Sequence, residues 1–243
     1  MHHGIISGNL VADPELKYLA SGAAIANYTV AVNHKTKNNE SVSFFRVTTF
    51  GKLAEVINQY KKKGQAIMVR GDFQIDNWED QNGKKRKSNK IISQEVDLNA
   101  SGGVNTFCFK GNITQDITIS DQGTFKVVNN TLAVNYKIKQ GDKWVEKTDF
   151  IDFSAFNEHA EFLSNYFQKG SNVYLEGRIE IGSYEKEETK FETQKLIVNN
   201  VRFGSSKQED QENQETQDQP DTEADDLDDI DELDDIDGLD DLD

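Results

Sequence analysis

Apolar and polar positions alternate with a period of two along most of the chain, and short stretches of helical period interrupt the alternation twice. Ile5 to Leu10 is an apolar run closed by Gly8-Asn9, and Ala12-Asp13-Pro14-Glu15 then turns the chain. In Ala24 to Val32, Tyr28, Val30 and Val32 fall on one side and Ile25, Asn27 and Thr29 on the other. From Phe44 to Phe50, Phe45, Val47 and Thr49 share one face of a predicted strand, and Phe44, Arg46, Thr48 and Phe50 share the opposite face. Burying both faces would bury Arg46 without an obvious partner, so the Phe44/Arg46/Phe50 face is predicted to be wet and its aromatics functional. Leu53, Val56, Ile57 and Tyr60 then recur at i, i+3, i+4 and i+7, one stripe of a short helix, with Lys61 to Lys63 and Gly64 at its end. In the next strand Ile67, Val69, Phe73 and Ile75 oppose Arg70, Asp72, Gln74, Asp76 and Trp78, with Gly71 placed for a bend. Asn82-Gly83 marks a hairpin tip, and Ile91 to Leu98 reads as the closing strand.

Three strands, a helix and two strands is the order of the oligonucleotide-binding (OB) barrel. After Ser101-Gly102-Gly103, a brief linker, the pattern returns: Gly8-Asn9-Leu10 as Gly111-Asn112-Ile113, Ala31-Val32-Asn33 as Ala133-Val134-Asn135, and the strand and helix as Asp149 to Gly170. On the second helix His159, Phe162, Leu163 and Tyr166 take the stripe, with His159 read as a core-edge residue. The predicted fold is all-β with one short helix per domain. It comprises two tandem OB-fold five-stranded barrels, residues 1–101 and 102–204, and a disordered acidic C-terminal tail, residues 205–243.

Net charge of −16 argues against a nucleic-acid binder until its position is considered. Up to Ala100 there are 14 basic and 10 acidic residues, from Ser101 to Gly204 there are 12 and 14, and beyond Gly204 there are 1 and 19. The body is therefore close to neutral with a mildly basic first half, and the acidity belongs to the tail. There Leu227, Ile230, Leu233, Ile236, Leu239 and Leu242 recur every third residue between acidic pairs, a period that does not hold one face of an α-helix. An extended conformation on a protein partner would align them. Cys108, the single cysteine, excludes an internal disulfide and reads as a small strand residue. No stretch is apolar enough to span a bilayer and MHHGIISG lacks a signal core, which predicts a cytoplasmic protein. His2 and His3 read as an untethered end and not as a metal site; no cofactor or metal is expected.

The segments GNLVADPELKY (Gly8 to Tyr18), FRVTTFGKLAEV (Phe45 to Val56), YKKKG (Tyr60 to Gly64) and WEDQNGKKR (Trp78 to Arg86) closely resemble the bacterial and phage single-stranded DNA-binding protein family in order and spacing. The resemblance covers nearly all of Met1 to Leu98, and Val104 to Phe203 looks like a diverged copy. It implies base stacking on Phe44, Phe50 and Trp78, and phosphate contacts from Arg46, Lys52, Lys63 and the cluster Lys84, Lys85, Arg86 and Lys87. That cluster alone reads almost as well as a solvated hairpin tip. In the second copy Phe150, Phe156 and Tyr184 stand for the stacking residues, Asp152 replaces Arg46, and the hairpin around Glu185 to Glu188 loses its basic excess. Trp144 is open to two readings, a further stacking residue or a loop anchor. The resemblance also implies a homodimer presenting four OB domains, and recruitment of replication, recombination and repair proteins by the tail. The chain lacks the usual terminal Pro-Phe and ends Leu239-Asp240-Asp241-Leu242-Asp243, a departure that bears on which partners it recruits. A polyanionic brush competing with DNA is the other reading of the tail. Stacking on aromatic rings and cations along a backbone independently suit unpaired nucleic acid of any sequence. An enzyme is disfavoured, since the body's acids are scattered and no acid-base pair accompanies His159. An OB module for RNA or protein is the alternative, and the preference for DNA rests on the resemblance.

Overall fold

A computed structural model describes residues 2–35, 40–79, 85–100, 102–140, 143–186 and 189–204, with side chains at 77–79, 85–87, 139–140, 183–186 and 189–192 left outside the description. The described part of the first repeat contains β1 (His2–Leu10), β2 (Glu15–Tyr18), β3 (Ala24–Lys35), β4 (Glu40–Phe50), α1 (Lys52–Tyr60), β5 (Ala66–Glu79) and β6 (Lys85–Asp97). The second contains β7 (Asn105–Ile113), β8 (Ile119–Asp121), β9 (Lys126–Gln140), β10 (Lys143–Phe156), α2 (Glu158–Tyr166), β11 (Asn172–Lys186) and β12 (Thr189–Phe203). Besides the five long strands expected, each repeat thus adds a very short one, β2 and β8, paired with the start of the following strand.

Each repeat closes into a five-stranded barrel. In the first, β1 pairs antiparallel with β3 and β5, β3 with β4, and β5 with β6, while a short parallel contact at Val47 and Ile91 joins β4 to β6. The second repeats this arrangement, closing through Phe153 and Leu196. Closure demands a sharp bend in the strand after the helix. The β5–β6 register shifts between Arg70 and Gly71, and the β11–β12 register shifts at Glu176/Gly177. A Cβ at Gly71 would lie 2.1 Å from the Ile92 carbonyl oxygen, and one at Gly177 equally close to that of Ile197, so only glycine fits either bend.

The helices plug the barrels with a face rotated from the predicted stripe. Ala54 and Ile57 are buried on α1, and Ala160 and Leu163 on α2, whereas Tyr60 and Tyr166 are exposed. Small alanines let the helix approach the sheet, which the count of large apolar residues overlooks. Lys61 to Lys63 lie beyond the last turn of α1, and Gly64, with φ of 82°, serves the turn back to β5 and not the helix end itself.

Gly103 does more than link. The Gly103 and Ser7 N–H groups donate to the Ser7 and Val104 carbonyls, respectively, at 2.9 and 2.8 Å, and β7 then runs antiparallel to β1 from His2↔Phe109 to Ile6↔Asn105. The two barrels therefore share one continuous sheet, and Met1–Ser206 forms one compact unit. His2 and His3 are strand residues at this seam, not an untethered end. The core is continuous too. Phe107, from β7, packs against Phe45 and Phe73 of the first barrel with ring centroids 5.5 and 5.4 Å apart, and all three are buried.

Candidate nucleic-acid interface

Strand parity on β4 places Phe45, Val47 and Thr49 inside, and Phe44, Arg46 and Phe50 on the outer wall. Thr49 is the one polar residue facing inward in this run, and its hydroxyl is satisfied by Tyr28 at 3.0 Å and Ser93 at 2.6 Å. Burial pushes the Tyr28 phenol up to about 12, so it stays neutral beneath the platform. On the outside Phe44 is 51% exposed and Phe50 47% exposed. An apolar ring left in water on a strand whose opposite face is fully packed is not there for the core. Thr48, between Arg46 and Phe50, donates to Asn27 at 2.8 Å, which anchors the middle of the row to β3.

Lys52 follows Phe50 directly after the left-handed Gly51 and is exposed at the start of α1. Lys63 is exposed as well, three residues beyond the end of α1, and its backbone N–H donates to Asp13, between β1 and β2, at 2.8 Å. Phe44, Arg46 and Phe50 thus follow one another along the outer wall of β4, Lys52 comes directly after at the start of α1, and Lys63 is tied to the segment between β1 and β2. Trp78, Lys85, Arg86 and Lys87 belong to the β5–β6 ladder, where Trp78 opposes Arg86, but their side chains lie outside the description, as does Lys84 altogether. Tyr184 opposes Phe191 on β11–β12, again with its side chain outside the description. The tail positions Leu227, Ile230, Leu233, Ile236, Leu239 and Leu242 lie outside the described residues.

The second barrel presents the same row with altered chemistry. Phe150 is 51% exposed, as Phe44 is, and Trp144 and Asp152 also face outward on β10. Asp152 accepts a hydrogen bond from the Thr131 hydroxyl at 2.7 Å. Phe156 is only half-buried, and a further exposed ring, Phe125, stands 5.9 Å from it. Sequence alternation missed Phe125 because it sits in the turn between β8 and β9, outside any periodic run.

The sequence also left unread a polar network across the seam. Asp149, almost fully buried, accepts the Ile75 backbone N–H at 2.9 Å and the Tyr136 hydroxyl at 2.7 Å, and faces Lys147 at 3.6 Å. Lys147 donates in turn to the Ile75 carbonyl at 2.7 Å. Burial and the Asp149 carboxylate both push the Tyr136 phenol up. Ser43, at the matching place in the first copy, accepts the Ile181 N–H at 3.1 Å. Each barrel thereby captures one backbone amide of the other. Among the described residues no cluster of His, Cys, Asp and Glu could hold a metal ion, and no helix is long and apolar enough to cross a membrane.

Comparison with known proteins agrees with this duplicated architecture. The single-strand binding protein family matches residues 1–99 and again 104–204. A single-stranded DNA-binding protein from Wolinella succinogenes is 36% identical over 112 residues, covering 44% of this chain and 69% of that relative. One from Helicobacter hepaticus is 40% identical over 111 residues, covering 42% and 65%, so the match spans about two thirds of these relatives' lengths. Among solved structures, the wild-type single-stranded DNA-binding protein from Thermus aquaticus superposes with a TM-score of 0.65 at 23% identity, over 85% of this chain and 94% of that one. A deletion mutant of the same protein gives 0.66 at 22% identity, over 85% and 95%. At that identity the likeness establishes the shared fold. With both repeats matched along nearly the whole described body, the chain belongs to the single-strand binding protein family.

Proposed function

We propose that this chain binds single-stranded DNA without sequence preference, by stacking bases on outward aromatics while cations meet the phosphates, and that it coats and protects such DNA in replication, recombination and repair. The observation that carries the reading is the outer row of β4, where two half-exposed phenylalanines flank an outward arginine on a rigid, fully backed strand. Phe44 and Phe50 lie roughly 20 Å apart along the strand, a span for several splayed nucleotides. Nothing in the row selects one base over another, because every base offers a flat face. Binding needs no chemical step, so the protein acts as a binder and not as an enzyme, in the cytoplasm.

The first barrel is the tighter half. Arg46 and Lys52 border its rings, whereas Asp152 stands in the corresponding row of the second, which contributes chiefly site size. Trp78 and Tyr184 extend the stacking surfaces onto the hairpins, and Lys63 and the Lys84 to Lys87 cluster add phosphate contacts. Two chains assemble to present four barrels. The acidic tail recruits partner proteins through its Leu/Ile triplets, competes with DNA for the cations, or both.

Titration of poly-dT at two salt concentrations on the wild type, Phe44→Ala and Arg46→Ala tests the core of the reading. Loss of one stacking ring should cost roughly 1–3 kcal/mol at either salt, and loss of the arginine should reduce the magnitude of the salt slope by about 0.7. Wild-type affinity in Phe44→Ala, or a stronger grip on poly-U than on poly-dT, would remove DNA stacking as the function.

A further inference from the structure

The turn between β8 and β9 carries a ring that the first barrel does not have. The Asn157 N–H donates to the Lys126 carbonyl just as the Gly51 N–H donates to that of Ala24, both at 2.8 Å, so Lys126 corresponds to Ala24 and Phe125 to Ala23. Local hydrogen bonds define the turn. The Gln122 N–H donates to the Phe125 carbonyl at 3.0 Å, Gly123 takes φ of 78°, and its N–H is held by Asp121 at 2.8 Å. On the far side, Lys126 is clamped to α2 by Glu161 at 2.6 Å. A large apolar side chain on so constrained a turn is nevertheless 41% exposed.

Its neighbour is Phe156, the counterpart of the Phe50 stacking ring. The two rings meet at a tilt of 59°, so their flat faces point in different directions, and the partly exposed Phe125 lines an open depression beside Phe156. The surroundings are acidic: in the depression of about 280 Å³ that Phe125 lines, Lys126 and Glu161 pair with each other, and Asp121 and Glu158 leave two net negative charges. Such a corner repels a phosphate but tolerates the neutral face of a base.

We propose that Phe125 is an additional base-stacking residue, particular to the second barrel. The two halves of the chain then hold a single strand by different means: the first by rings and charge, the second by a longer series of rings with little charge. The inference rests on the single-stranded DNA reading above, and it deepens that reading by making the second half the one least weakened by salt.

Full-length Phe125→Leu and Phe125→Trp decide it, read by anisotropy of a labelled oligo-dT long enough to engage both barrels, at low and moderate salt. Leucine still covers Phe156 but has no flat face, so it should weaken binding about fivefold or more, by the same factor at both salts, while tryptophan stays within about twofold of wild type. Wild-type affinity in Phe125→Leu would overturn the proposal, and so would equal losses in both variants, which would mean that the ring only packs. Phe44→Ala in the same assay separates the two failures. If it too binds like wild type, the stacking reading itself falls; if it weakens while Phe125→Leu does not, only the role of Phe125 falls.

Discussion

At the scale of single residues, His2 shows how the fold recruits an end of the chain. Its ring stacks on Tyr136 with centroids 4.0 Å apart, and burial pushes its pKa below the ordinary histidine value, against the opposing pull of the Asp72 and Asp149 carboxylates. A histidine that resists protonation when folded favours the unfolded state as pH falls through the ordinary value of about 6.5. Its contribution is present in full above that pH and declines below it. The thermal midpoint of the wild type should therefore drop between about pH 7 and pH 5 more steeply than that of His2→Phe, which keeps the stack without the titration. Identical slopes would show that His2 is not the group responsible. Residues such as Phe44, Phe45 and Arg46 were legible beforehand because a strand offers only two sides, and one charge among aromatics decides which is wet. His2 was not, since its partner lies on β9 of the other barrel and nothing local announces it.

Elements follow the same division. Closed barrels, one short helix per repeat and the bend at Gly71 were readable, being set by local alternation and by a residue without a Cβ, whereas the matching bend at Gly177 emerged only in the structure. The pairing of β1 with β7 was not readable either, because a strand's sequence records that one face is buried but not which edge meets it. That seam has a definite local logic. The repeats correspond at a shift of 103 residues here, as Gly8 and Gly111 show, so Gly4 lies opposite its own counterpart, Phe107. A Cβ on Gly4 would come within 2.2 Å of the Phe107 ring, which fills the space that the glycine vacates. Gly4→Ala should cost about 1–3 kcal/mol by overpacking, and Phe107→Ala about 3–5 kcal/mol. Combined, they should cost clearly less than the sum, because the smaller side chain removes the clash. Urea midpoints of the four proteins of this cycle measure the coupling, and strict additivity would mean that the two positions do not touch functionally.

For the molecule as a whole, charge is segregated: the described body is nearly neutral and the last 39 residues carry 19 acidic side chains against one lysine. If that polyanion rivals DNA for the cations beside Phe44 and Phe50, removing residues 225–243 should tighten oligo-dT binding at low salt and make little difference at high salt, where screening mutes the rivalry. Unchanged affinity at low salt would leave recruitment of partners as the tail's role. The shared sheet bears on a different property. Among the described residues its order ends at β2 and β8, of four and three residues, while the long strands β4 and β6, like β10 and β12, meet over only two residue pairs where each barrel closes. Stubs of that length give a newcomer almost no backbone to zip onto. Backbone zipping between molecules crowded along one filament of nucleic acid would therefore have to start where the barrels close, along the stretches of β4, β6, β10 and β12 that the two-pair contacts leave uncovered, and not at the ends of the shared sheet.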